Sequence, residues 1–152
     1  MVRGIKLFGF LAVSVLFITG CGNSEKTLSC SMSEEDDGIS MEQTVDLNFS
    51  DDKVTNVKMS INTKVTDSTY QENWDMFVST MESQYEETST DGIKVTTEND
   101  SDNYTFIISV DANLEKASKE VLSDYGLDTF TEEGITYEET KQEAEDAGYT
   151  CK

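Results

Sequence analysis

The side chains that most enzymes use for acid–base chemistry are poorly represented in this sequence. It contains no histidine, which removes the commonest general base and a common metal ligand. Catalysis by a serine or cysteine next to an imidazole is therefore excluded. A thiolate zinc site would have only Cys30 and Cys151 as sulfur ligands, and no glycine-rich phosphate loop is present. We predict that the protein is not an enzyme and has no catalytic residues.

Carboxylates are the one reactive group in excess. The 152 residues include 31 Asp and Glu against 11 Lys and Arg, which gives a net charge of −20. A small hydrolase based on paired carboxylates is the least favoured alternative, because no single pair stands out among so many. A surface this acidic repels nucleic acid and anionic head groups, so nucleic acid is not expected as a partner.

Two acidic segments have the composition of cation sites. Asp100 and Asp102 are spaced like the first two ligands of an EF-hand loop, but Tyr104 follows in the next ligand position and Asp111 stands where the bidentate Glu belongs. The run from Glu34 to Asp37 could collect cations only loosely. We interpret both segments as solvated turns and predict no metal site.

Residues 1–20 have the character of an export signal. Arg3 and Lys6 precede an apolar stretch from Leu7 to Ile18. This stretch is shorter than the about 20 residues of a bilayer-spanning helix and has the length of a signal-peptide apolar region. An ordinary secretory signal or an uncleaved membrane anchor would be the alternatives.

The sequence Phe17-Ile18-Thr19-Gly20-Cys21 resembles the lipobox of bacterial lipoproteins, with Ile18 where leucine is commoner. The resemblance implies cleavage before Cys21 and a diacylglycerol on the Cys21 thiol, which would be the only covalent or bound cofactor. It also implies a position on the extracytoplasmic face of the bacterial cell membrane. The lipid anchor would make the membrane a partner of the protein.

Acylation of Cys21 would leave Cys30 and Cys151 as an even pair. Cys30 lies with Leu28 and Met32 on the apolar face of the first predicted strand. Cys151 follows the last predicted helix, which must pack on that face. Export favours a disulfide between them. A redox-active pair is the rival, but the CxxC spacing is missing and the negative surroundings should raise the thiol pKa. Two buried free thiols are the other alternative.

The spacing of apolar residues predicts the fold. Three segments between residues 27 and 65 and two between 93 and 110 alternate with period two, as in an antiparallel sheet with one wet face. Residues 70–85 repeat at three and four, as in an amphipathic helix containing Trp74, which we expect to be a core residue. Two shorter helices follow, around residues 114–125 and 137–147.

The predicted order is therefore βββαββαα. This is an α+β fold with two layers, in which an antiparallel sheet of about five strands has helices on one face. Residues 1–20 are the signal peptide, 21–26 a tether and 27–152 one domain. Capping boxes are predicted at Thr69–Glu72 and Thr136–Glu139, at the starts of the first and last helices.

Three segments, residues 45–64, 70–85 and 134–149, together with the lipobox at Cys21, resemble the YehR-like family of small bacterial lipoproteins, a domain family of unknown function. The resemblance covers about residues 27–150. It implies a single antiparallel sheet with helices. It implies no active site, and it does not extend to the cysteine pair.

These observations favour a lipid-anchored, non-enzymatic module of the cell envelope that binds a protein or a small ligand or supports assembly. The alternative is an acidic surface that recruits cations or basic proteins. A binding module should have a contiguous apolar patch outside its core. Ile107 and the edge strands are the only places where the sequence hints at such a patch.

The Cys21→Ala variant should be released from the membrane or mislocalised, because the thiol that would accept the lipid is lost. Fractionation of cells expressing either form measures this. Wild-type protein that stays in the membrane without being processed would show that the lipobox interpretation is wrong.

Overall fold

A computed structural model describes residues 25–51, 53–85, 88–131 and 135–152. Its strands are β1 Glu25–Asp36, β2 Ile39–Ser50, β3 Lys53–Val65, β4 Thr88–Thr90, β5 Ile93–Asp100, β6 Thr105–Asn113 and β7 Thr150–Cys151. Its helices are α1 Ser68–Gln71, α2 Trp74–Gln84, α3 Lys119–Asp124 and α4 Tyr137–Asp146, with a 3₁₀ helix at Asp128–Thr131. Within these ranges no helix has the length and apolarity to cross a membrane.

All strand pairs are antiparallel, and the strands form one sheet in the order β4-β5-β6-β3-β2-β1-β7. The predicted α+β fold is confirmed. Five strands have the length that periodicity can detect, while β4 and β7 are short edge strands that the sequence pattern does not indicate. The first strand also begins at Glu25, so it includes two residues assigned to the tether.

The register of the sheet gathers apolar side chains on one face. Leu28, Leu47, Val57, Ala112 and Ile93 lie side by side on consecutive strands, and all are buried. The opposite face, which we call the open face, is polar. A row of hydroxyl side chains crosses it: Ser31, Thr44, Ser60, Ser109 and Thr96. The one-sided pattern agrees with a two-layer fold.

Two separate groups of helices cover the apolar face. We call the end of the sheet where β1 begins, at Glu25, the near end, and the end where β1 finishes, at Asp36, the far end. At the near end Leu122 and Leu127, from α3 and the segment after it, pack into the core that contains Leu28. At the far end Trp74 and Val78 of α2 pack on Val65, Phe106 and Ile108.

The helix starts are only partly as predicted. The prediction of a capping box at Thr69–Glu72 is wrong. Asp67 caps α1 instead, by accepting a hydrogen bond from the Thr69 N–H at 2.8 Å. The predicted helix is also divided into α1 and α2 by a turn at residues 72 and 73. The Thr136 cap is confirmed, since its hydroxyl accepts from the Glu139 N–H at 3.3 Å and donates to the Glu139 carboxylate at 2.9 Å.

Cys30 and Cys151 form a disulfide that spans 121 residues of sequence. The two residues are register partners in the antiparallel pairing of β1 with β7. Next to them Lys152 donates its N–H to the Ser29 carbonyl at 2.9 Å and accepts from the Ser29 N–H at 3.3 Å. The chain end is therefore joined to the first strand by backbone pairing and by a covalent bond.

Removal of this bond should lower the free energy of unfolding by about 2–4 kcal/mol, because closing a loop this long restricts the unfolded chain. Urea denaturation of the Cys30→Ala, Cys151→Ala double variant measures the loss. The oxidised wild-type protein is the reference, and its reduction should give a similar loss. Equal stability of the three forms would contradict the structural role of the disulfide.

Candidate functional site

The far end of the sheet contains the feature best suited to binding. After β3 the chain turns at Asp67 into α1, and the Gln71 side chain donates to the Val65 carbonyl at 3.1 Å, which fixes α1 over the end of β3. The Asn73 side chain donates to the Thr69 carbonyl at 3.1 Å across the turn that leads into α2. These bonds fix α1 at the end of β3 and stabilise the turn between α1 and α2.

An aromatic cluster fixes α2 on the β6 side of this end. The Trp74 ring lies 5.3 Å from the Phe77 ring and 5.8 Å from the Tyr104 ring, centroid to centroid. Phe77 meets Phe106 edge to face at 6.0 Å, a favourable geometry for aromatic pairs. The Trp74 Nε1–H donates to the Ser101 hydroxyl at 3.3 Å. As predicted, Trp74 is a buried core residue.

On the β2 side α2 does not close on the sheet, and a pocket of about 320 Å³ remains. The sheet contributes Ile39, Thr63 and Val65 to its wall. The helical segment contributes Tyr70, Asn73, Trp74, Met76, Phe77 and Thr80. This volume is at the lower end of the roughly 300–1,000 Å³ of small-molecule sites. None of the lining residues is charged, although the chain is strongly acidic.

Large apolar side chains are exposed around the mouth of this pocket. Met41, Tyr70 and Met76 are 43%, 46% and 66% exposed. Met41 lies on the apolar face, opposite Thr63 on β3 and two residues from Ile39. Exposed apolar residues grouped in this way are typical of an interaction site. Tyr125, the other large apolar side chain exposed among the described residues, follows α3 near the other core.

Thr63 introduces a polar group into this wall. It is 6% exposed and is the one buried polar residue in the described part of the chain. A hydroxyl in a mostly apolar wall can orient a ligand through one hydrogen bond, as polar groups in apolar pockets commonly do.

Carboxylates lie beside the sheet residues of the pocket. We call Glu34, Asp36 and Asp67 the acidic rim; all three are exposed. On β1, Glu34 is the register partner of Met41 and Asp36 that of Ile39, which places both carboxylates beside the pocket on the same face of the sheet. Asp67 caps α1 two residues after Val65, which lines the pocket. The site is therefore mostly apolar inside and negative along this side.

The residues predicted to be functional lie elsewhere. Cys21 lies outside the described residues. Cys30 and Cys151 are joined, but they lie in the middle of β1 and on β7, away from the pocket. Ile107 lies half-exposed on the open face between Asn62 and Glu98, so it belongs to no apolar patch. The patch that the structure does contain lies on the side of the helices.

The acidic turn at Asp100 acts as a turn. Its carboxylate accepts from the Asn103 side chain at 2.8 Å and from the Asn103 N–H at 3.2 Å. The Asn103 side chain is the main cause that lowers the pKa of Asp100 below its usual value. No group of three His, Cys, Asp or Glu in the described ranges is arranged to hold a metal ion.

Comparison with protein-family models gives no match, and comparison with curated proteins gives none either. Among solved structures, the chain is similar to the "NMR structure of the protein from Streptococcus pneumoniae TIGR4". The TM-score is 0.56 at 15% identity, and the likeness covers 100% of this chain and 99% of the other. At this identity the likeness shows a shared fold and nothing about activity.

The turn between β1 and β2 supports one wall of the site. Gly38 accepts a hydrogen bond from the Thr66 N–H at 2.8 Å through its carbonyl. It has a φ of +76°, and a Cβ atom at this position would lie 2.5 Å from the Asp67 Cβ. Gly126 has a similar φ of +66°, but nothing lies within 4 Å of its Cβ position.

The Gly38→Ala variant should therefore lose more stability than Gly126→Ala. The second change costs only the positive-φ strain, about 1–2 kcal/mol. Gly38→Ala has the same strain and adds a collision of the new Cβ atom with Asp67, which costs about 1–3 kcal/mol more. Urea denaturation followed by Trp74 emission measures both. Equal losses would show that the turn is not packed against Asp67.

Proposed function

We propose that the protein is a lipid-anchored, extracytoplasmic binding module of the bacterial cell envelope, and that it holds an apolar group of its ligand in the far-end pocket. The observation that carries this proposal is a pocket without charged lining in a chain with a net charge of −20. Exposed Met41, Tyr70 and Met76 would lose contact with water when a ligand binds.

The cysteines support export and anchoring. A disulfide between Cys30 and Cys151 suits an oxidising compartment outside the cytoplasm. The lipobox sequence ending at Cys21 supports attachment to the membrane, and the YehR-like resemblance supports membership of a family of small lipoproteins. Both remain proposals about this chain.

A binding role agrees better than catalysis with the chemistry of the pocket wall. Among the lining residues, Thr63, Thr80, Asn73 and Tyr70 carry hydroxyl or amide groups, and none carries a carboxylate or an amine. Such groups can form hydrogen bonds to a ligand, but the wall contains no carboxylate, imidazole or amine that could act as a general base. The wall can therefore orient a ligand.

The fold would present this pocket away from the membrane. Three residues separate Cys21 from Glu25 in the sequence, and β1 begins at Glu25, at the near end. β1 then extends for 12 residues to Asp36 beside the pocket, a length of roughly 35–40 Å at the usual rise of a strand. Ligands in the aqueous space outside the bilayer could therefore reach the site.

An uncharged fluorescent dye such as Nile red tests the proposal. Trp74 is the only tryptophan and lines the pocket, so dye binding should change its emission and saturate at one dye per protein. Met76→Gln should weaken binding about fivefold, because roughly 1 kcal/mol of apolar contact is lost.

The matched control is Tyr125→Gln, which removes an exposed apolar residue near the other core. It should leave dye affinity unchanged. A Trp74 emission that does not respond to the dye, or equal affinities of the two variants, would count against a ligand site at this position.

A further inference from the structure

We propose that the ligand is a cationic segment of a protein, whose bulky apolar side chain enters the pocket while its Lys and Arg side chains meet the acidic rim. This inference rests on the proposed function and names the partner of the same site. It depends on the charge around the pocket, on the size of the cavity and on the position of the site relative to the tether.

The first step is the absence of compensating cations. The ion pairs found among the described residues are Lys58–Asp111 at 3.4 Å and Lys141–Glu145 at 3.9 Å, and neither includes a rim residue. Lys64 is on β3 near the far end, but it lies across from Ser40 and Thr105, on the open face. The rim carboxylates therefore generate an uncompensated negative potential at the mouth of an apolar cavity.

The second step is the juxtaposition of the two kinds of surface. Glu34 is the register partner of the exposed Met41, and Asp36 is the register partner of Ile39, which lines the pocket. A ligand that covers these apolar residues brings whatever charges flank its apolar group close to carboxylates. An apolar centre with a charged border is the usual anatomy of a protein interface. A ligand that complements this site would therefore have positive charges around its apolar group.

The third step selects the class of partner. Nucleic acid and anionic lipid would be repelled by the rim. The site lies at the end of the sheet opposite the start of β1, so anchoring through Cys21 would leave it open to the aqueous space. A cavity of about 320 Å³ has room for one large side chain. A protein segment supplies both an apolar anchor and flanking cations in a fixed relation, and rim charges of this kind mainly increase association rate and specificity.

Three short synthetic peptides without Trp or Tyr test this inference on the folded, oxidised protein. The first has a central Phe flanked by Lys, the second has the same Phe flanked by Gln, and the third has Ser in place of Phe between the Lys residues. Trp74 emission reports occupancy of the pocket. The first peptide should bind about tenfold more tightly than either of the others at low salt, and its affinity should fall as salt is added.

The rim variant combines Glu34→Gln and Asp36→Asn, at exposed positions. It should lose about tenfold in affinity for the first peptide and most of the salt dependence, while it binds the Gln-flanked peptide and the dye unchanged. The matched control removes the same two charges at exposed sites away from the pocket, with Glu115→Gln and Asp124→Asn. It should behave like the wild type.

The outcomes separate this inference from the proposed function. Dye binding with equal affinity for the Lys-flanked and Gln-flanked peptides would overturn the cationic partner and leave the pocket as a binding site. Equal peptide affinity of the rim and control variants would show attraction by net charge alone and would also overturn it. Dimers in sedimentation that disappear in Met76→Gln would assign the pocket to a second copy instead. If neither dye nor peptide changes Trp74 emission, both proposals fail.

Discussion

Burial of one face of the antiparallel sheet is the constraint on which the rest of this structure depends. Side chains alternate along each strand. The register that aligns Leu28, Leu47 and Val57 on one face therefore places their neighbours in sequence on the open face. One layer of helices must then cover an apolar surface five long strands wide. The helices are too short to do so as a single unit, so they cover it in two groups, one at each end.

The pocket follows from this division. Between the two groups the apolar face is only half covered. The side chains there are more polar or more exposed than in either core: Met32, Gln43 and Ile61 form a half-buried row across β1, β2 and β3. At the far end α2 is held on β6 by its aromatic residues, which leaves the β2 side uncovered. Met41 stays exposed there because no helix covers it, while Thr63 on the neighbouring strand is buried in the pocket wall.

The sequence allowed much of the fold to be predicted, and the reasons are local. Period-two alternation in β1, β2 and β3 and the Trp74–Phe77–Val78 stripe of α2 depend only on neighbouring residues, so they predict element type directly. The break at residues 72 and 73 is not predicted, because Thr69 and Glu72 match a capping box at the start of one continuous helix. In the structure Asp67 forms the cap instead. β7 was missed because two residues have no period, although the cysteine pair that accompanies it was predicted correctly.

The pocket is harder to predict because it depends on distances between elements. Periodicity alone puts Tyr70 in the apolar stripe of the helix and Met41 on the apolar face of β2, because each has the correct spacing. Their exposure depends on how far α1 and α2 extend over β2, which no local pattern encodes. Met76 was the one available signal, since it is a large apolar residue outside the stripe of α2. In so acidic a chain, apolar residues that stay exposed beside an uncharged cavity support the proposal that a ligand or partner covers them.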